Sequence, residues 1–280
     1  MDSESKITAR YLRILSYSVL AFTLAFLINN VLTVWVDWPG VKKIFSHYEL
    51  FGFKQKALQG SELNYGYLQI GIYLICIAGV ILYVFKTYSQ TLEHDSEILS
   101  KFSAYLVRSS FWAVFLVGVA DFIISFMVVE RLWEAIFSPE VKAFMVKAPE
   151  RITFIHFPII LGSFIIGYFT KSVGFIWLAV LVVLSEFVIV LSRFIFSYEQ
   201  AFQGDLVRFW YAALYLFASA YALIHEGHVR VDVLYSSFSE RKKAWTNSIG
   251  SALLGVPLCL IVIFYGLNGK ASIIYGPVVA

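Results

Sequence analysis

Apolar residues run along this chain in long blocks, not in the alternation of a strand or the single stripe of a surface helix. Crossing ~30 Å of hydrocarbon at ~1.5 Å per residue takes about 20 apolar residues. Seven stretches come near that length: residues 12–36, 67–85, 109–129, 152–169, 173–196, 206–224 and 247–267. The fourth is short and carries His156 and Pro158 near its start, and only Thr170, Lys171 and Ser172 separate it from the fifth, which predicts a tight helical hairpin. An unpaired backbone N–H or C=O is costly in lipid, so every span is predicted helical. The fold class expected is all-α, a polytopic transmembrane helix bundle with interfacial amphipathic helices.

Two segments between the spans are too polar to cross and too apolar for free linkers. Residues 41–58 mix Ile44, Phe45, Leu50, Phe51 and Phe53 with Lys42, Lys43, Lys54 and Lys56. Residues 131–146 interleave Trp133, Ile136, Phe137 and Phe144 with charge. Amphipathic helices lying along the membrane surface fit both mixtures. There is no internal repeat and no low-complexity tract.

Composition strengthens the membrane reading. The 280 residues are 59% hydrophobic and 15% charged, with mean hydropathy +0.75. Soluble domains keep about a quarter of their residues charged. Many of the 17 Tyr and 7 Trp sit near the ends of apolar runs, at headgroup level. The net charge of +3 is dispersed through short loops and points away from nucleic acid, which needs a concentrated basic face. Cys76 and Cys259 both lie in apolar runs and read as small apolar side chains rather than a disulfide or metal site. The first run follows Lys6, Arg10 and Arg13 but exceeds the length of a signal h-region and lacks a small-x-small site, so it reads as a retained span.

Orientation follows weakly from the loops. With the N-terminus cytoplasmic, the inside segments hold eleven Lys and Arg against nine outside, a margin too small for the positive-inside rule. The loop 197–205 has two acids and no Lys or Arg, whereas the next loop carries Arg230, Arg241, Lys242 and Lys243. That pair favours a cytoplasmic N-terminus.

Charges at membrane depth need a partner or a wet face. Asp121 falls inside the third span and Glu186 near the middle of the fifth, with Arg193 two turns later on the same face. Asp205 and Arg208, three residues apart at the start of the sixth span, can pair locally. As a functional reading, Asp121 or Glu186 would couple ions. The structural reading makes all five interhelical or subunit-interface charges. It is favoured because no Gly/Pro-broken helix, usual at the coupling sites of secondary transporters, accompanies them.

The strongest local pattern is His225-Glu226-Gly227-His228-Val229-Arg230-Val231-Asp232. Two His at i, i+3 could share a metal, but the spacing is not H-E-x-x-H and Gly227 interrupts the helix. Haem would want His facing His across the bundle, and all five His lie in loops or near span ends. The alternation of His228, Arg230 and Asp232 with Val229, Val231 and Val233 places the polar groups on one side of an extended turn, which Arg230 and Asp232 can lock. Residues 232–245 then read as a surface segment before Asn247 enters the last span.

From about residue 173 to 267 the chain resembles the small membrane subunit, DctQ type, of tripartite ATP-independent periplasmic (TRAP) transporters. The likeness rests on the span ending Val190-Leu191-Ser192-Arg193-Phe194-Ile195-Phe196, on Asp205 before the next helix where a Glu is commoner, and on the turn with His228, Arg230 and Asp232, followed by a basic segment and a span with Pro257. The resemblance implies a non-catalytic scaffold with no cofactor. Its partners would be a large TRAP membrane subunit that carries substrate and sodium, a periplasmic substrate-binding protein and membrane lipid, with no nucleic acid. The substrate would be a small organic anion, the location the bacterial inner membrane, multi-pass, with the turn cytoplasmic. The family has four spans and this chain matches three, so a fourth is expected to be missing from the sequence. Residues 1–172 are read as an N-terminal transmembrane extension of about four spans, and residues 173–280 as the DctQ-like region. Two further readings stand beside this one: a self-contained conducting protein using Asp121, Glu186 and Arg193, and a membrane enzyme or haem subunit using His225 and His228.

Overall fold

A computed structural model describes residues 3–53, 57–171, 175–198, 201–224, 235–269 and 272–274. Among these every regular element is helical. In chain order they are α1 (Ser3–Trp35), α2 (Val41–His47), a 3₁₀ turn at Leu50–Gly52, α3 (Ser61–Lys86), α4 (Leu92–Val129), α5 (Trp133–Ile136), α6 (Pro139–Val146) and α7 (Ala148–Arg151). A π-helical turn at Ile152–His156 leads into α8 (Phe157–Phe169), followed by α9 (Phe175–Phe196), α10 (Ala201–Ile224) and α11 (Glu240–Gly250). A second π-helical turn at Ser251–Gly255 leads into α12 (Val256–Gly266). Six helical runs among the described residues are long and apolar enough to cross a bilayer: Ile7–Trp35, Ser61–Lys86, Leu92–Val129, Ile152–Phe169, Ile176–Ile195 and Glu240–Gly266. The expected sixth span, 206–224, forms the helix α10 but is not among those six, its described part being diluted by Asp205, Arg208 and several Tyr. The chain is thus an all-α polytopic helix bundle.

The two π-helical turns have one cause. Pro158 and Pro257 sit at the second position of α8 and α12. A proline has no N–H to offer the carbonyl four residues back, and its ring collides with that carbonyl. The helix opens by one residue just ahead of each: the Phe157 N–H reaches the Ile152 carbonyl and the Val256 N–H that of Ser251. The helix axis nevertheless continues through each turn. The basic segment from Glu240 is therefore continuous with the last spanning helix, and of the surface segment expected over 232–245 the first three residues lie outside the described residues. Ser239 takes the extended N-cap conformation, and Glu240 in the first turn pairs with Lys243 at 3.1 Å.

The surface segment expected over 41–58 is also shorter than predicted. α2 ends at His47 because Glu49 and Phe51 both take left-handed backbone angles, φ 52° and 57°. The segment 131–146 breaks at Ser138, where Pro139 opens α6. Helix α4 is longer than predicted: its 38 residues extend ~57 Å, far beyond a hydrocarbon core of ~30 Å, so its polar first half continues as helix outside the apolar block.

The chain forms two packed units. The first comprises residues 1–96 and 233–280, the second residues 97–232. In the first, α1 packs along α3 with Tyr17 edge-on to Tyr83 and Phe22 against Tyr73, while Phe264 of α12 meets Phe22 and Phe26. Gln69, fully buried on α3, accepts the Gly40 N–H at 2.8 Å and donates to Thr33 Oγ1 at 3.1 Å. That clamp needs Gly40 at φ 81°, a conformation glycine adopts without strain.

In the second unit Phe111, Leu178, Trp210 and Ala213 form the buried centre, wrapped by Trp112, Phe115, Phe122, Leu181 and Phe217. Two close approaches set helix spacing there. A Cβ at Gly118 of α4 would overlap the Trp210 indole, and one at Gly167 of α8 would overlap Ser109, including its backbone. Small residues at helix contacts are the usual way membrane helices gain packing. Arg108 Nε donates to the Gly167 carbonyl at 3.2 Å, and Trp112 Nε1 to Thr170 Oγ1 at 3.2 Å, fixing the end of α8 on α4. The tight turn expected at Ser172 lies outside the described residues.

Candidate functional site

Charged groups within the apolar helices are the residues whose placement needs a reason. Asp121 lies on α4, eight residues before its end, and is 38% exposed at the side chain. Arg151 Nη1 donates to its Oδ1 at 3.1 Å, and His156 Nε2 lies 3.0 Å from the same oxygen. His156 closes the π-helical turn ahead of Pro158. Pro158 widens this helix without breaking it, and the widened turn carries one of the Asp121 partners. A cleft of about 420 Å³ opens here, lined by Val117, Gly118, Asp121, His156, Asp205 and Phe209 among others.

Asp205 accepts from Arg208 Nη1 at 3.2 Å across one turn of α10, the local pair expected from their spacing. Both side chains are exposed, so the pair contributes little to stability. Asp205 thus joins the lining of the Asp121 cleft on one side and Arg208 on the other. Glu186 stands apart. It lies halfway along α9 on the exposed side of the helix, next to exposed Val183, Phe187 and Val190, and meets no hydrogen-bonding or ionic partner among the described residues. Arg193 is exposed on the same face and has an interaction of its own. His228, Arg230 and Asp232 lie outside the described residues.

One charged site escaped the sequence reading. Arg13, counted there as a loop cation, is 3% exposed on α1 and paired with Asp95, itself 4% exposed. Its guanidinium also donates to the Thr87 carbonyl at 2.7 Å and Thr87 Oγ1 at 2.9 Å. This fork ties the first helix to the turn between α3 and α4 within the first unit. The available signal was position: an Arg at the edge of an apolar run, opposite a short loop rich in hydrogen-bond acceptors.

Among the described residues no three His, Cys, Asp or Glu side chains cluster as metal ligands. Cys76 and Cys259 are both free thiols.

Residues 182–278 match the family model described as tripartite ATP-independent periplasmic transporters, DctQ component. The matched segment begins in α9 and takes in α10, α11 and α12. No curated protein and no solved structure matches the chain. With further apolar helices ahead of that segment, the chain is a multi-pass bacterial inner-membrane protein whose residues 182–278 are similar to the DctQ component of TRAP transporters.

Proposed function

We propose that this chain is the small, scaffolding membrane subunit of a TRAP-type secondary transporter. It would take up small organic anions with sodium, together with a large transport subunit and a periplasmic substrate-binding protein. The observation that carries this reading is the DctQ match over residues 182–278. Supporting it, Asp121, Asp205 and Arg13 all have partners inside the chain, as expected of a bundle whose charges hold helices together. Residues 1–172 act as a transmembrane extension that widens the scaffold, and the N-terminus faces the cytoplasm. Transport chemistry lies in the partner, so the chain itself catalyses no reaction.

The test is association. Tagged full-length chain, co-expressed with a large TRAP membrane subunit from the same genome, retains that subunit through purification in mild detergent. Failure to retain it contradicts the proposal.

A second reading, that the chain conducts an ion itself, is favoured by one observation: the cleft joining Asp121, His156 and Asp205 beside a proline-widened helix. Ion flux through liposomes containing only this chain, abolished by Asp121→Asn, would establish it.

A further inference from the structure

The membrane charges of this chain fall into two kinds. Asp121 is held by Arg151 and His156, Asp205 by Arg208, and Arg13 by Asp95. Arg193 too is engaged. Glu186 alone among the candidate charges has no partner among the described residues. It stands at mid-helix, ~15 Å from either end of α9, too far for a Glu side chain to reach the headgroups. The surface around it is apolar and open: Val183 is 66% exposed, Phe187 57% and Val190 48%. The side of α9 that packs inward, with Leu178, Val182 and Ile189, adjoins this open face, and Glu186 stands at the edge between them.

Lipid tails cover such an apolar face readily but cannot cover a carboxylate without a large cost. The cover at Glu186 is therefore protein. A second copy of this chain fits poorly. Two copies related by an axis along the membrane normal would bring Glu186 against Glu186 at one depth, while Arg193 sits ~10 Å away along the axis. Like carboxylates would then meet in a low-dielectric setting. A different helix, with a hydrogen-bond donor at that depth, satisfies both the charge and the apolar surround.

We infer that the Glu186 face of α9, with Val183, Phe187 and Val190, is the docking surface for a transmembrane helix of the large subunit that presents a basic or hydroxyl donor to the carboxylate. The inference rests on the function proposed above and adds where the two chains meet.

Co-purification of the full chain with the large subunit tests it. Glu186→Leu lowers the retained large subunit by about tenfold, the loss expected when a charge-assisted hydrogen bond disappears and its donor is left buried. Glu186→Gln, which keeps an acceptor, loses less. Both variants, purified alone, keep the elution volume and helical content of the parent chain. A photo-crosslinking residue at Val183 or Val190 forms an adduct with the large subunit, and one at Val188, exposed on the opposite side of α9 from Glu186, does not.

Several results overturn the inference. Crosslinks from Val183 and Val190 to a second copy, or to lipid alone, would do so. So would unchanged retention in Glu186→Leu. Retention intact in Glu186→Gln with sodium-driven uptake abolished would instead make Glu186 an ion-coupling group. If the parent chain itself retains no large subunit, the functional proposal fails and this inference with it. If it does and only the α9 results are negative, the inference alone fails.

Discussion

Among single residues, the charges divide by whether the chain answers them itself. The Arg13–Asp95 pair is the most buried. Removing one member strands the other in a low-dielectric site, and that usually costs ~3–5 kcal/mol, whereas replacing both with apolar side chains is often close to neutral. Arg13→Met is therefore expected to lower the detergent melting temperature markedly, and Arg13→Met with Asp95→Leu to recover a large part of the loss. The recovery is partial because Thr87 and Gln90 also accept from Arg13 and lose their donor. Equal melting of the single and double variants would contradict the pairing. At Asp121, a double-mutant cycle of Asp121→Asn with His156→Ala is expected to show a coupling of about 0.5–3 kcal/mol, as contacting groups do. Additive effects would separate them. Which charges pair was only partly legible. Asp205 and Arg208 are three residues apart on one helix and could be paired by counting. Arg13 and Asp95 are 82 residues apart, and hydrophobic periodicity carries no information about such a contact.

Individual elements were largely legible where apolar length alone decides them. The expected stretches all coincide with helices, because lipid leaves the backbone no other partner. Their ends were harder to read. The first half of α4 is polar, and a search for apolar runs passes over it although it is continuous helix. Glu240 to Lys243 look like a loop by composition but form the first turn of the last helix. Proline marked both π-helical turns in advance, yet whether it breaks, kinks or merely widens a helix depends on how the freed carbonyls are satisfied. The contact of α8 with α4 depends on Gly167 lying against Ser109. Gly167→Leu is expected to cost about 1–3 kcal/mol, the usual range for overpacking, and to loosen the Arg108 and Trp112 bonds to the end of α8. Gly162→Leu, a position where a new Cβ meets open space on the same helix, is the matched control and is expected to be near neutral. Similar melting of the two variants would contradict the close approach.

For the whole molecule, two divisions of the chain coexist. Packing joins residues 1–96 with 233–280 and leaves 97–232 as the other unit. Family likeness runs from 182 to 278 and crosses that division. The first reflects which helices touch, the second which stretch carries a shared sequence pattern, so neither fixes the other. The membrane class was legible from composition, and the family from a handful of residues around Arg193 and the turn at His228, Arg230 and Asp232. Function was not legible from physical chemistry alone, because the scaffolding proposed for this chain would be exercised at surfaces that meet other chains, and an outward apolar face looks the same whether lipid or protein covers it. A mid-helix carboxylate such as Glu186 is the exception, since it distinguishes the two covers. Orientation is open to a direct check: a maleimide that cannot cross membranes is expected to label a cysteine placed at Gln59 from outside the cell, and one placed at Gln90 only after permeabilisation. The reverse pattern would invert the proposed topology.

The central claim is that this chain is the fixed membrane partner of a sodium-driven carrier. Uptake of a labelled organic anion into proteoliposomes under an inward sodium gradient tests it most directly. The account predicts uptake when this chain, the large subunit and the loaded binding protein are all present, and none when this chain is omitted or is reconstituted alone. Full uptake without the chain, or sodium-driven uptake by the chain alone, would contradict it.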